Sequence, residues 1–281
     1  MEPEYQKQHR VSQVYLKQFG FEKDNVWYVS VWKKYSEQTG LEVINDFTKE
    51  VNIFDLPYEE FKYRRHFENS SNILETAYPK VIKSIINQKQ LIKSHQNILA
   101  QYVANLICRT KPFREFFDLL LTSGDTRKKF LNEICLFGSS IEEIEDQLKS
   151  LQGQEPLNVT IGYMMNHLVH ILLQFNYVIL KEFEGRGWMT SDNPVVLDKN
   201  ENHSFIIPIE AEIYLPLSRD FCLFMYHSES ANKTNPLRQF PVNRISELDD
   251  DLYKKIIDLI FKNENEFVIF PYEIEPTSLL V

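Results

Sequence analysis

The chain has 281 residues, 43% of them hydrophobic and 25% charged, and a formal net charge of −9 at pH 7. That length can bury a full core, and the composition is that of a folded globular chain, not a disordered one. The acidic balance argues against general coating of nucleic acid.

The start, MEPEYQKQHR, is polar with no apolar stretch behind it, so no secretory signal is expected. His9 to Phe19 (HRVSQVYLKQF) places Val11, Val14, Tyr15 and Phe19 at helical spacing, and Gly20 can close that helix. Val26 to Trp32 (VWYVSVW) is dense in β-branched and aromatic residues and reads as a strand. Further strands are expected at Leu41 to Ile44 and at Val51 to Phe54.

From Pro57 the period becomes helical. Asn72 and Glu75 have the spacing of an N-cap and its reciprocal partner, opening a helix from about Ile73 to Gln88 with a bend or restart at Pro79. Helices follow at Gln90 to Arg109, Phe113 to Leu121 and Thr126 to Phe137. Ser140 with Glu143 is a second capping box, for Ile141 to Leu151. Val159 to Phe183 reads as one buried helix. Asn166, His167, His170, Gln174 and Asn176 make it a poor membrane span.

After Gly185-Arg186-Gly187 strands return, at Trp188 to Thr190, Pro194 to Leu197, Ser204 to Ile207, Glu212 to Pro216 and Phe221 to Tyr226. Hairpin turns fall at 199–202 and 218–220, and a polar loop at 227–241. Ser246 with Asp249 caps a helix from about Leu248 to Lys262, and Glu266 to Phe270 is a last strand. Segregated blocks of this kind mean α+β. The expectation is one domain over residues 1–281. Its antiparallel sheet is built from N- and C-terminal strands (9–56 and 185–272), and a central multi-helix block (about 57–184) packs on it.

Charge is uneven. Residues 1–130 carry a net +4 and residues 131–281 a net −13. Between Thr76 and Arg114 there are seven basic residues and no acid. Such a one-signed segment fits an anionic partner, a nucleic acid or a small molecule, or docking on the acidic half. Cys108, Cys135 and Cys222 are odd in number and lie in apolar contexts, as reduced core residues of a cytoplasmic protein do.

Five groups could carry chemistry. His9 can act as base, ligand or phosphate contact. Glu75 is a carboxylate for metal or proton. Gln101 and Arg109, eight apart, fall near one helix face and could grip a phosphate or carboxylate. His167 and His170 are three apart with no Glu between, which suits core histidines better than a zinc helix. Ser191-Asp192-Asn193-Pro194, inside WMTSDNPVV, offers a hydroxyl, a carboxylate and an amide on successive residues. Those groups suit a hydrated cation, and they equally suit a tight turn. No phosphate-binding loop, dinucleotide fingerprint, nucleophile elbow or Cys-x-x-Cys is present, so no nucleotide or flavin cofactor is expected.

HRVSQVYLKQF and WMTSDNPVV, with Glu75, Gln101 and the run Arg109, Thr110 and Pro112, resemble the signatures of the bacterial domain of unknown function 4238 over about residues 6–270. Ser12 stands where that family has Pro, and Lys111 interrupts the Arg-Thr-Pro run. The resemblance implies no reaction, but its signatures are built around the polar residues His9 and Asp192.

The expectation that follows is a metal-assisted phosphodiester hydrolase, nuclease-like, of a host-defence or toxin type. Glu75 and Asp192 would hold Mg²⁺ or Mn²⁺, and His9 would move the proton. Gln101, Arg109 and the basic segment would hold the anion, and Ser191 and Asn193 would position the metal ligands. The alternative is a non-catalytic module that binds a small anion such as a nucleotide at the same residues and a partner protein through its helices. No membrane association is expected.

Overall fold

The first element among the described residues is a strand, not a helix. In the computed structural model, which describes residues 6–134, 140–149, 151–152, 155–198, 207–231 and 233–272, β1 (Lys7–His9) pairs antiparallel with β5 (Lys49–Val51). The helix expected from His9 shrinks to α1 (Gln13–Leu16). Of its expected apolar positions Val11, Tyr15 and Phe19 are buried and Val14 is half-buried, with Leu16 buried beside them. The ladder to Lys49 takes His9 into extended backbone, and local propensity gives way to that pairing.

Around β3 (Val26–Lys33) the N-terminal strands meet the C-terminal ones. β4 (Gln38–Val43) runs along one edge of β3. The other edge is shared by β2 (Phe21–Lys23) and β12 (Phe267–Phe270), and β12 also pairs with β7 (Thr190–Ser191). The expected joining of the two ends of the chain is present. It is not the only sheet, however. A second has the order β11 (Ile245–Ser246), β6 (Phe175–Lys181), β10 (Phe221–His227), β9 (Glu212–Pro216), β8 (Val196–Asp198), antiparallel except for the β11–β6 pair.

β6 corrects the expected helix to Phe183. α8 (Glu155–Leu172) ends early, and FNYVILK pairs with β10 over seven residues. A buried apolar run has no periodicity to separate helix from strand, and here the cross-strand partner decides.

The helical layer begins with α2 (Phe61–Arg64) and α3 (His66–Gln88), which runs unbroken through Pro79. The cap expected at Asn72 and Glu75 is therefore absent, because both lie inside α3. Pro79 has no N–H to give the Glu75 carbonyl one turn back. α4 (Lys93–Arg109) is buried on almost every side over its second half, as a central helix should be. α5 (Lys111–Thr122), α6 (Gly124–Ile134) and α7 (Ile141–Lys149) follow. The Ser140–Glu143 box forms as expected, with the Glu143 N–H on Ser140 Oγ at 3.1 Å and the Ser140 N–H on Glu143 Oε2 at 2.9 Å. α9 (Asp250–Lys262) is capped by Asp249 itself, whose carboxylate accepts from the Leu252 N–H.

Buried side chains from both sheets and the helices join in one hydrophobic cluster. Tyr15 pins its centre. Its hydroxyl meets Thr190 Oγ1 at 2.7 Å and donates to the Pro216 carbonyl at 2.7 Å, so one residue of the first segment touches both five-stranded sheets. Cys108 and Cys222 are free and buried, and burial pushes both thiols above their ordinary range. Cys135, the expected turn at 199–202 and most of the expected strand at 204–207 lie outside the described residues.

Candidate functional site

Side chains alternate along the β1–β5 ribbon, so Lys7, His9 and Lys49 share one face and Gln8 and Glu50 the other. Gln8 is buried, donating to Asp55 Oδ1 and accepting from the Phe54 N–H, which ties β1 to the segment that follows β5. His9 then faces a cleft of about 640 Å³, whose other walls carry Asn45, Glu68, Glu75 and Arg109.

Glu68, Asn72 and Glu75 reach this cleft together because they recur every three to four residues along α3. Arg109, the last residue of α4, is only 1% exposed. It donates from Nε to the His9 carbonyl at 3.1 Å and from Nη1 to Ser71 Oγ at 2.9 Å, and its Nη2 lies 2.7 Å from Glu68 Oε1. Nη2 also bonds the His9 carbonyl, and the guanidinium stands 4.2 Å from the centre of the Phe54 ring. Its donors are thus engaged in holding β1 to α3.

His9 Nε2 lies 3.1 Å from the Asn45 carbonyl and is also near Gln13. A carbonyl can only accept, so the bond to it puts the proton on Nε2 and leaves Nδ1 with the lone pair. Burial is the largest influence on the ring and lowers its pKa. Lys49 and Arg109 push the same way, against the Asn45 bond and Glu68. Glu75 is moved oppositely. Burial raises its pKa and Glu68 adds to this, while Arg109 and Ser12 pull it down. The Ser12 hydroxyl lies beside both Glu75 and the phenol of Tyr102, which burial holds far above its ordinary range. Ser12 Oγ and Tyr102 Oη are themselves buried and lack a well-aligned hydrogen-bond partner.

Asp192 is not brought to this cleft. It lies beside a separate cavity of about 170 Å³ lined by Arg10, Thr48 and Glu50, against the opposite face of the ribbon. Its carboxylate accepts from the backbone N–H groups of Asn265, Glu266 and Phe267 at 3.1–3.2 Å. Burial raises its pKa, and these bonds pull the other way. Ser191 Oγ closes its own turn, accepting from the Asn193 N–H and donating to the Asn193 carbonyl. The Asn193 and Asn263 amides exchange bonds with each other's backbone. A metal shared by Glu75 and Asp192 would need both carboxylates in one cavity, and they line two. Among the described residues no group of three or more His, Cys, Asp or Glu is arranged to hold a metal ion.

Gln101 is exposed and lines yet another cavity, with α8. The basic segment also divides. Arg109 and Arg114 are buried, Arg114 donating to the Ile53 carbonyl and Asn158, and Lys111 pairs with Glu266 at 2.7 Å. Lys80, Lys83, Lys89 and Lys93 remain exposed. His167 is buried in α8, and burial lowers its pKa. Glu68 and Ser71 lie in the part of α3 that precedes its expected start at about Ile73, so the expected helix does not include them. Begun at His66, it would have shown Glu68 and Glu75 two turns apart on one face.

The fold is α+β with a polar cleft where its first strand crosses its helical layer. The chain belongs to the family described as Protein of unknown function (DUF4238), whose model matches residues 7–272. No curated protein and no solved structure matches it. No helix among the described residues is long and apolar enough to cross a membrane.

Proposed function

We propose that the His9–Glu75 cleft is an acid–base site that hydrolyses an anionic ester of the phosphodiester class. One juxtaposition supports this: an imidazole whose pKa burial lowers and a carboxyl whose pKa burial raises line the same cleft. Such opposed environments are how acid and base roles are divided. In this reading His9 Nδ1 takes a proton from water as the water oxygen bonds phosphorus. Glu75 gives its proton to the leaving oxygen, and solvent exchange restores both groups. Lys7, Lys17 and Lys49 on the cleft wall match the substrate's charge.

The test is release of nitrophenol from bis(p-nitrophenyl) phosphate, and cleavage of DNA and RNA, by the whole chain. It is run with Mg²⁺, with Mn²⁺ and with EDTA, since a cation held at Glu75 would add a dependence that acid–base chemistry alone does not show. His9→Ala and Glu75→Gln each lower the rate about 10²-fold or more while leaving the protein folded. Intact substrate under every condition, or a His9→Ala variant as active as the parent, overturns the reading.

The three lysines equally favour a second reading, in which the cleft binds a nucleotide or similar anion without turning it over and the helical layer meets a partner protein. A nucleotide-induced rise in melting temperature that survives EDTA, without hydrolysis, selects it.

A further inference from the structure

A cavity of about 700 Å³ opens on another face of α3, between α3, α4, α8 and the segment before α2. Gly162, in the interior of α8, is part of its wall. A glycine there weakens the helix relative to alanine. Neither of the usual reasons for a glycine applies. Its backbone is not left-handed, and a Cβ at this position would meet nothing within 4 Å. What the missing side chain does is leave the cavity open.

The chemistry of the wall is specific. Tyr58, Phe67 and Tyr163 supply flat aromatic surface, and the Tyr58 ring is braced edge-on by Tyr63 at 6.1 Å. Gln101 and Asn166, from α4 and α8, are exposed amides, each offering a donor and an acceptor. Among the described residues no Lys, Arg, Asp or Glu lines it. Size, aromatic walls and a few polar groups are the marks of a small-molecule site. Rings bind flat molecules by stacking, and paired amide donors and acceptors read the edge of a heterocycle. His66 also stands on the wall, but with no Lys or Arg there among the described residues a phosphate is disfavoured.

We propose that this cleft binds an uncharged planar heterocycle with donors and acceptors on its edge, a nucleobase or nucleoside, between the tyrosine rings and the Gln101 and Asn166 amides. The proposal is independent of the His9–Glu75 reading and uses none of its residues.

Isothermal titration of the whole chain with adenine, adenosine, guanosine, cytidine and uridine tests it, with indole as a ring lacking that edge. At least one nucleobase or nucleoside binds saturably. Binding is lost in Gly162→Leu, whose side chain enters the cavity, and weakens at least tenfold in a Gln101→Ala/Asn166→Ala double variant. The double variant alters exposed positions only, so it carries the test if Gly162→Leu fails to fold. Absence of saturable binding by every nucleobase and nucleoside overturns the proposal. So does indole binding as tightly as they do, or a double variant that binds like the parent.

Discussion

Arg109 holds the backbone carbonyl of His9 with two of its nitrogens, across a sequence separation of 100 residues. The contact fixes where the imidazole sits without touching the imidazole, since it grips the main chain behind it. It also makes Arg109 a frame residue, shared between Glu68, Ser71 and β1.

Arg109→Ala leaves Glu68 without its ion-pair partner and takes a donor from the His9 carbonyl and the Ser71 hydroxyl. It should destabilise the fold by about 3–5 kcal/mol, the range for breaking one side of a buried ion pair. Arg109→Lys recovers only part, since an ammonium cannot reproduce the fork that meets the His9 carbonyl and Ser71 beside Glu68. Urea denaturation of the parent and both variants measures this. A loss below about 1 kcal/mol would show that the frame is held elsewhere.

Asp192→Ala strands three backbone N–H groups at the start of β12. Bonds to a charged acceptor and the burial of unpaired donors together predict a loss of about 2–4 kcal/mol. Any loss of activity should follow the folded fraction and recover when the assay is cooled. An Asp192→Ala protein of full stability and no activity would return Asp192 to the chemistry.

Glu75 has its folded pKa raised, so the folded state binds more protons than the unfolded one as pH rises through the window above the ordinary value of 4.5. Stability falls across that window, by linkage. Glu75→Gln abolishes this cost. The variant should melt higher than the parent at neutral pH, and the difference should close below pH 4.5, where both side chains are neutral. Melting temperatures from pH 4 to 8 check it.

His9 has its folded pKa lowered below 6.5. The unfolded chain then binds the extra proton first, and the stabilising contribution of the neutral ring is lost as pH falls below that value. Two-dimensional NMR of the imidazole carbons should give a midpoint below 6.5. The ring nitrogen shifts should show the proton on Nε2. A midpoint above 6.5 would show that burial does not dominate the titration of the ring.

The sequence showed its fold class through changes of period, and particular elements came through well. Glu212–Pro216 is a strand with the bounds expected of it, and the Ser140–Glu143 box caps its helix. Elements settled by distant partners were less legible. FNYVILK continues the apolar run of α8, and only its ladder to β10 makes it a strand. His9 and Asp192 both stand in motifs of short spacing. Nothing local in either motif shows that one faces a cleft while the other accepts bonds from a segment over 70 residues further on. Glu68 carried a readable signal in its seven-residue offset from Glu75, masked by a misplaced helix start.

The hydroxyl of Tyr15 reaches Thr190 and Pro216, 175 and 201 residues downstream. A chain growing from its amino end therefore makes its anchor long before it makes the seat. On the ribosome the Tyr15 hydroxyl must wait for both partners until most of the polypeptide has emerged. Pairings of such long range fold slowly, so nascent chains stalled before Pro216 should be the forms most in need of a chaperone.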